Sequence, residues 1–180
     1  MTNLGIMSSS SFRPTILVVH KDGRRRIEND REIFEELRQR FKAEAAIEYY
    51  DARHFSYEQL KPKVLRMART SVLITPAGGL AQQLLFLPAG ATAIMPDVLH
   101  NDLQSLPLDP GEYAHVEYVN VLRLPVTHKS YARTTDRPQC ESTGTEGLAL
   151  RDCNVWLEDL EPLFDMVEQG LHAWRIDHEA

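Results

Sequence analysis

The sequence predicts an α/β protein with a doubly wound, mainly parallel sheet of about five strands, which is a Rossmann-like arrangement. Short apolar runs rich in β-branched residues alternate with segments whose apolar residues recur at helical spacing. Continuous apolar runs are typical of strands covered on both faces, and their alternation with helices favours parallel strands joined by right-handed crossovers. The 180 residues are enough for one such domain.

The first elements follow a Ser-rich segment, residues 1–14, which lacks any hydrophobic period and is expected to be a flexible leader. The domain is expected over residues 15–180. The run "TILVVH" at 15–20 predicts its first strand. Asn29 and Glu32 resemble a helix cap, and a helical pattern of apolar residues follows them.

The middle of the chain continues this alternation. It predicts, in order, a strand at 45–51, a helix at 60–68, a strand at 71–75, a short helix at 79–87 and a strand at 91–95.

The last third is less regular. The run "HVEYVNVL" at 115–122 predicts a fifth strand. Residues 126–152 are polar and rich in Thr, Ser, Arg and Gly, so we expect a long loop excursion there. An apolar stripe at helical period in 155–174 predicts a terminal helix that packs on the sheet.

Composition excludes several classes of function. A net charge of −6 argues against a general nucleic-acid-binding protein, which needs a basic face. The chain has no apolar run long enough to cross a membrane, and its start does not have the build of a signal peptide. The Asp-x-Asp pair of metal-bridged diphosphate sites is absent from the sequence, so we expect no metal and no cofactor.

Two glycines, Gly78 and Gly79, stand between the third predicted strand and the short helix. In open α/β sheets ligands bind beyond the carboxyl ends of strands, where the start of a helix presents unpaired N–H groups. Glycines there let an anion approach the backbone closely. This pattern predicts an anion site, although a glycine pair is equally consistent with a tight corner that binds nothing.

A basic segment, "KDGRRR" at 21–26, follows the first predicted strand. Cations do not stabilise the start of a helix, because its dipole repels them, so a facing anion explains them better. A solvated basic loop is the alternative. Since the carboxyl ends of parallel strands share one edge, we expect both segments at the same edge of the sheet.

For three side chains expected near this edge, the sequence is consistent with either a ligand contact or a purely structural role. Asp51 and His54 follow the second strand and could contact a ribose or a base, but an acidic turn residue is the commoner explanation for Asp51. His20 ends the first strand and could face the cleft or simply close the strand.

The two segments resemble motifs in the carboxyl-terminal half of a family of inverting glycosyltransferases. This family contains plant β-xylosyltransferases, arabinosyltransferases of cell-wall xylan and EGF-domain-specific O-GlcNAc transferases. "HKDGRRRIENDRE" is similar to the family pattern "SRxxxRxxxNxxE", and "ITPAGGLAQQLLFLPAGATAIMP" is similar to "GxHGAGLTNxxFLPPGAxxxxxxP". The resemblance covers roughly residues 15–125.

The resemblance implies one half of a GT-B architecture, in which two Rossmann-like halves face a cleft and this half holds a nucleotide-sugar donor. It implies diphosphate contacts from Lys21, Arg25, Asn29, Ala77, Gly78, Gly79 and Leu80. Such contacts would neutralise the leaving diphosphate as the glycosidic bond breaks. Glu32 also matches the family pattern, yet a capping role explains it equally well.

The resemblance further implies sugar transfer to a hydroxyl of a glycan or protein. In GT-B enzymes the acceptor side, and often the general base, belong to the amino-terminal half, so we expect no turnover without that half or a partner chain. As written, the chain is expected to be soluble and without a signal peptide. Membership in a longer family protein would instead place it in the lumen of the secretory pathway.

The sequence also departs from the second family pattern. Pro76 and Ala77 stand near the place of the family's His, and Ala81 with Gln82 replaces its Thr-Asn. The alternative hypothesis is therefore a non-catalytic Rossmann-like module that binds a nucleotide or a partner chain, because a fold does not fix a function.

Overall fold

The computed structural model of the chain describes residues 13–23, 26–52, 60–76, 79–97, 127–132, 154 and 156–179. Within these residues the elements are, in chain order, β1 (Thr15–His20), α1 (Asp30–Phe41), β2 (Ala46–Asp51), α2 (Leu60–Met67), β3 (Val72–Ile74), a 3₁₀ helix (Gly79–Phe86), β4 (Thr92–Asp97), β5 (Thr127–Ala132) and α3 (Glu161–Glu179).

The strands form one parallel sheet in the order β2-β1-β3-β4-β5. This confirms the predicted α/β fold with a doubly wound parallel sheet. β1 is buried at its first five positions and β3 along its whole length, as their continuous apolar sequences predict. β2 lies at one edge of the sheet and is half-buried at every position, which explains why Glu48 and two tyrosines are compatible with it.

Each face of the sheet carries its own apolar core. Alternate residues of β1 and β3, such as Ile16 and Val72, pack with α1 and α3 on one face. Their neighbours Leu17 and Leu73 pack with α2 and the 3₁₀ helix on the other face. Close approach of α3 depends on Gly170, because a Cβ atom at that position would lie 3.1 Å from a methyl group of Val72.

The last strand of the described sheet lies within residues 126–152, which the sequence predicted to be a loop excursion. Residues 127–132 pair with β4, from Thr92 opposite Thr127 to Asp97 opposite Ala132, so that prediction is wrong for these six residues. Residues 115–122, where the sequence predicted a strand, lie outside the described residues. β5 is the last strand in the order of the described sheet, and a strand in that position does not have to be apolar on both faces. Its sequence "THKSYA" therefore lacks the apolar run from which the other strands were predicted.

Candidate functional site

The strand order creates a topological switch point between β1 and β3. The chain leaves β1 through α1 towards β2 on one side, and it leaves β3 through the 3₁₀ helix towards β4 on the other. In open α/β sheets ligands bind in the crevice that such a reversal leaves at the carboxyl ends of the strands. The segments that follow β1 and β3 contain Lys21 and Gly79, so the fold brings these two residues to the same edge of the sheet.

The segment with Gly78 and Gly79 connects β3 to the 3₁₀ helix. The N–H of Thr75 still donates to the carbonyl of Ile94 at 3.1 Å, and the helix begins at Gly79. Gly79 and Leu80 form its first turn, where N–H groups have no partner within the helix and can meet an anion. The sequence predicted a helix here but not its 3₁₀ form. Two further residues of the expected site, Ala77 and Gly78, lie outside the described residues, as does Arg25.

A polar cluster that the sequence did not single out as a unit lies where β1 ends and α1 begins. Nδ1 of His20 is 2.6 Å from Oδ2 of Asp30, and the hydroxyl of Tyr49 donates to Oδ1 of the same carboxylate at 3.0 Å. Asp30 is 3% exposed, so these contacts stand in for the water that the carboxylate has lost. We call His20, Asp30 and Tyr49 the histidine cluster.

The surroundings of the histidine cluster are charged. Nε2 of His20 lies 3.5 Å from Oδ1 of Asp22, whose side chain is 62% exposed in the loop after β1. The guanidinium of Arg31 lies 5.1 Å from the centre of the Tyr49 ring. Burial, and then the charge and hydrogen bond of Asp30, raise the pKa of Tyr49, so this phenol remains a hydrogen-bond donor at neutral pH.

A second set of polar contacts fixes the loop between β1 and α1 to the segment that precedes α3. The side-chain amide of Asn29 donates to the carbonyl of Leu157 at 2.9 Å, and the N–H of Leu157 donates back to the Asn29 amide oxygen at 3.1 Å. Asn154 accepts from the N–H of Arg26 at 3.2 Å and donates to Glu28 at 2.7 Å. We call these five residues the loop clamp.

The loop clamp changes the assignment of Asn29. Its side chain is buried, both amide atoms are engaged with Leu157, and its N–H₂ group also reaches Glu32 at 3.3 Å. Asn29 stands at the N-cap position of α1, but its side chain makes no capping hydrogen bond to a backbone N–H of that helix. The diphosphate contact that the resemblance implies would require these bonds to break, so we assign Asn29 a structural role.

Part of the basic segment is likewise engaged within the chain. Arg26 pairs with Glu28 at 2.9 Å, and that hydrogen bond raises the pKa of the guanidinium. Its charge is therefore balanced inside the loop clamp. Lys21 directly follows β1, and Asp51 ends β2 opposite His20 in the strand register. Both are half-buried at the carboxyl edge, whereas His54 lies outside the described residues.

Gln83 is a further polar residue, and it follows Gly79 by four positions in the chain. It is buried in the 3₁₀ helix, and neither atom of its amide has a hydrogen-bond partner. A buried amide left unpaired costs about 1–3 kcal/mol, so it would gain from a polar partner. The one sequence feature that could have indicated this buried amide is its position within the apolar segment "GLAQQLLFL".

The described residues contain no group of three or more His, Cys, Asp or Glu side chains placed to hold a metal ion. Among the helices within the described ranges, none combines the length and apolar character needed to cross a membrane.

Comparison of the chain with models of protein families finds no match, and comparison with curated proteins finds none either. The likeness to inverting glycosyltransferases therefore depends on the two motifs alone.

Proposed function

We propose that this chain binds the nucleoside diphosphate part of a nucleotide sugar at the switch point between β1 and β3. The observation that carries the proposal is the strand order, because the two segments whose sequences predicted an anion site follow β1 and β3, the strands on either side of the switch point. Each segment was predicted from its own sequence pattern. Because both follow strands that flank the position where α/β sheets bind ligands, the strand order supports a shared ligand.

The chemistry of this edge suits a diphosphate. Backbone N–H groups at Gly79 and Leu80 can donate to phosphate oxygens, and Lys21 adds a positive charge. Arg25, which matches the family motif, would supply a bidentate contact. Together they would neutralise the diphosphate as it leaves the sugar. In this proposal the chain is the donor-binding domain of a glycosyltransferase, and another half or a partner chain supplies the acceptor site.

A second candidate is a module that binds a nucleotide without catalysing transfer. The structural role of Asn29 favours it, because one residue of the family motif is used to hold the loop clamp. The replacements at Pro76, Ala77, Ala81 and Gln82 point the same way. Both candidates share the diphosphate site and differ only in turnover.

Calorimetric titration with uridine and guanosine diphosphates tests the shared site. Arg25→Ala should weaken binding by about 1–3 kcal/mol, because a charge-assisted hydrogen bond is lost. Lys42→Ala is the matched control, since Lys42 is an exposed cation at the end of α1, on the opposite edge of the sheet. Absence of binding at millimolar nucleotide would end the proposal, and equal losses for both variants would remove Arg25 from the site.

A further inference from the structure

We propose that His20 is a proton-linked ligand of the bound diphosphate, donating from Nε2 to a phosphate oxygen while Asp30 balances the charge on the ring. The inference rests on the proposed function, since it concerns the same ligand. It assigns to His20 a role that neither motif carries. The argument depends on the different surroundings of the two ring nitrogens.

The Nδ1 nitrogen is committed to the interior. A carboxylate can only accept hydrogen bonds. Oδ1 of Asp30 therefore accepts a hydrogen bond from the Tyr49 hydroxyl at 3.0 Å, and Oδ2 accepts one from Nδ1–H of His20 at 2.6 Å. Because Asp30 is 3% exposed, this arrangement fixes both the tautomer and the orientation of the ring. Nε2 is therefore the ring nitrogen that remains to meet a ligand.

The Nε2 nitrogen faces the loop after β1. Its neighbour Oδ1 of Asp22 is 3.5 Å away and belongs to a side chain that is 62% exposed, next to Gly23 with φ +81°. An exposed carboxylate at this distance is largely hydrated, so its contact with the ring is weak. A phosphate oxygen at the same edge of the sheet can take the place of Asp22, and a protonated Nε2 then donates to it directly.

The charges around His20 are the reason to expect that a proton binds to this side chain when the diphosphate binds. From α1, Asp30 and Arg31 lie beside His20 and Tyr49, Asp51 acts on Tyr49 from β2, and Asp22 faces His20 from the loop after β1, where Lys21 is its neighbour in the chain. A diphosphate adds negative charge to a neighbourhood that already contains three carboxylates. Opposite charge nearby favours the imidazolium, so binding should draw a proton from solvent onto Nε2.

The test is calorimetric titration of uridine diphosphate, repeated in pairs of buffers with different ionisation enthalpies. At pH between about 7 and 8.5 the phosphates contribute little, because their second ionisation lies near pH 6. We expect the wild-type chain to take up a fraction of a proton and its affinity to fall with rising pH, by at most about tenfold per unit. His20→Gln should bind with little proton uptake and a flatter pH profile.

Two further measurements separate this role from a structural one. Asp22→Asn changes an exposed side chain beside Nε2 of His20, and this variant should still take up a proton when the nucleotide binds. In the unsubstituted chain, nitrogen-15 spectra should show Nε2 of His20 becoming protonated when the nucleotide is added, which keeps the inference testable if His20→Gln does not fold. Nucleotide binding with no uptake, or with equal uptake in His20→Gln, overturns the inference and leaves the proposed function standing. No binding at all removes both.

Discussion

The loop clamp and the histidine cluster both border the loop between β1 and α1, and they differ in the pairing of one side chain in each, Asn29 and His20. In the loop clamp, Asn29 exchanges hydrogen bonds with both backbone groups of Leu157. In the histidine cluster, Asp30 is satisfied from within the chain, but Nε2 of His20 meets only the exposed carboxylate of Asp22 among the contacts described. Within the loop clamp Nε of Arg26 has no hydrogen-bond partner, but the side-chain amide of Asn29 is fully paired. In the histidine cluster, Nε2 of His20 faces an exposed side chain.

This difference separates residues that hold the loop from residues that can meet a ligand. A fully paired buried amide gains nothing from an additional partner, and removing it leaves other groups unpaired. A ring nitrogen beside a hydrated carboxylate can change partners at little cost. Judged by pairing, Asn29 belongs to the scaffold and His20 to the candidate site, although the family motif contains only the former.

The largest expected effect is the loss of stability in Asn29→Ala. The substitution leaves the N–H and carbonyl of Leu157 buried without their partners, so we expect a decrease of about 2–4 kcal/mol in the free energy of unfolding. Urea unfolding followed by circular dichroism measures this change. Nucleotide affinity, measured at a temperature at which the variant is folded, should change by less than about threefold, because the diphosphate contacts lie elsewhere.

Asn154→Ala is the control within the loop clamp. Asn154 is half-buried and contacts Arg26 and Glu28 in place of Leu157, so its loss should cost less, about 1–2 kcal/mol. A stable Asn29→Ala variant that no longer binds nucleotide would reverse the comparison and return Asn29 to the diphosphate site.

A smaller effect is expected for Tyr49→Phe. The change removes one hydrogen bond to Asp30 and keeps the ring, so we expect a loss of about 1–2 kcal/mol at pH 8. The pKa of Tyr49 is higher in the folded state than the ordinary tyrosine pKa of about 10. The stability that this difference contributes is therefore fully present below about pH 10 and decreases as the pH rises above that value. The variant should therefore lose less stability than the wild type above about pH 10.

Urea unfolding at pH 8 and at pH 10.5 measures this difference. Tyr50 also has a raised pKa because of its burial, so Tyr49→Phe should keep part of the alkaline loss. Tyr50→Phe is the matched control, since its hydroxyl is not part of the histidine cluster. Equal alkaline losses in the wild type and Tyr49→Phe would show that burial and Asp30 do not raise the pKa of Tyr49 in the folded state.

Much of the fold could be predicted from local pattern. Buried runs such as those of β1 and β3 carry their own signal, and so does the helical stripe of α1. The fifth strand does not, because "THKSYA" has no apolar run and only its pairing with β4 defines it as a strand. The 3₁₀ form of the helix after Gly79 also escaped prediction, since spacing indicates a helical face without fixing the hydrogen-bond pattern.

The sequence was sufficient to predict where the candidate site lies, but not all the residues that form it. The edge of the sheet follows from parallel strands, which the alternation of strands and helices predicts. The switch point between β1 and β3 additionally depends on the strand order, which the alternation does not give. The role of Asn29 depends on Leu157, which is 128 residues further along the chain, and no local pattern contains that pairing. His20 and Asp30 are ten residues apart, and their contact requires the loop to fold back over the end of β1.

The central claim is the location of the nucleotide at the switch point, and amide chemical shifts during titration with uridine diphosphate test it most directly. We expect the largest shifts in the two segments that follow β1 and β3, at residues 21–28 and 79–81. The amides of Ala46, Ser71 and Thr92, at the amino ends of three strands, should stay nearly unchanged. Shifts concentrated at that opposite edge, or none at saturating nucleotide, would contradict the account.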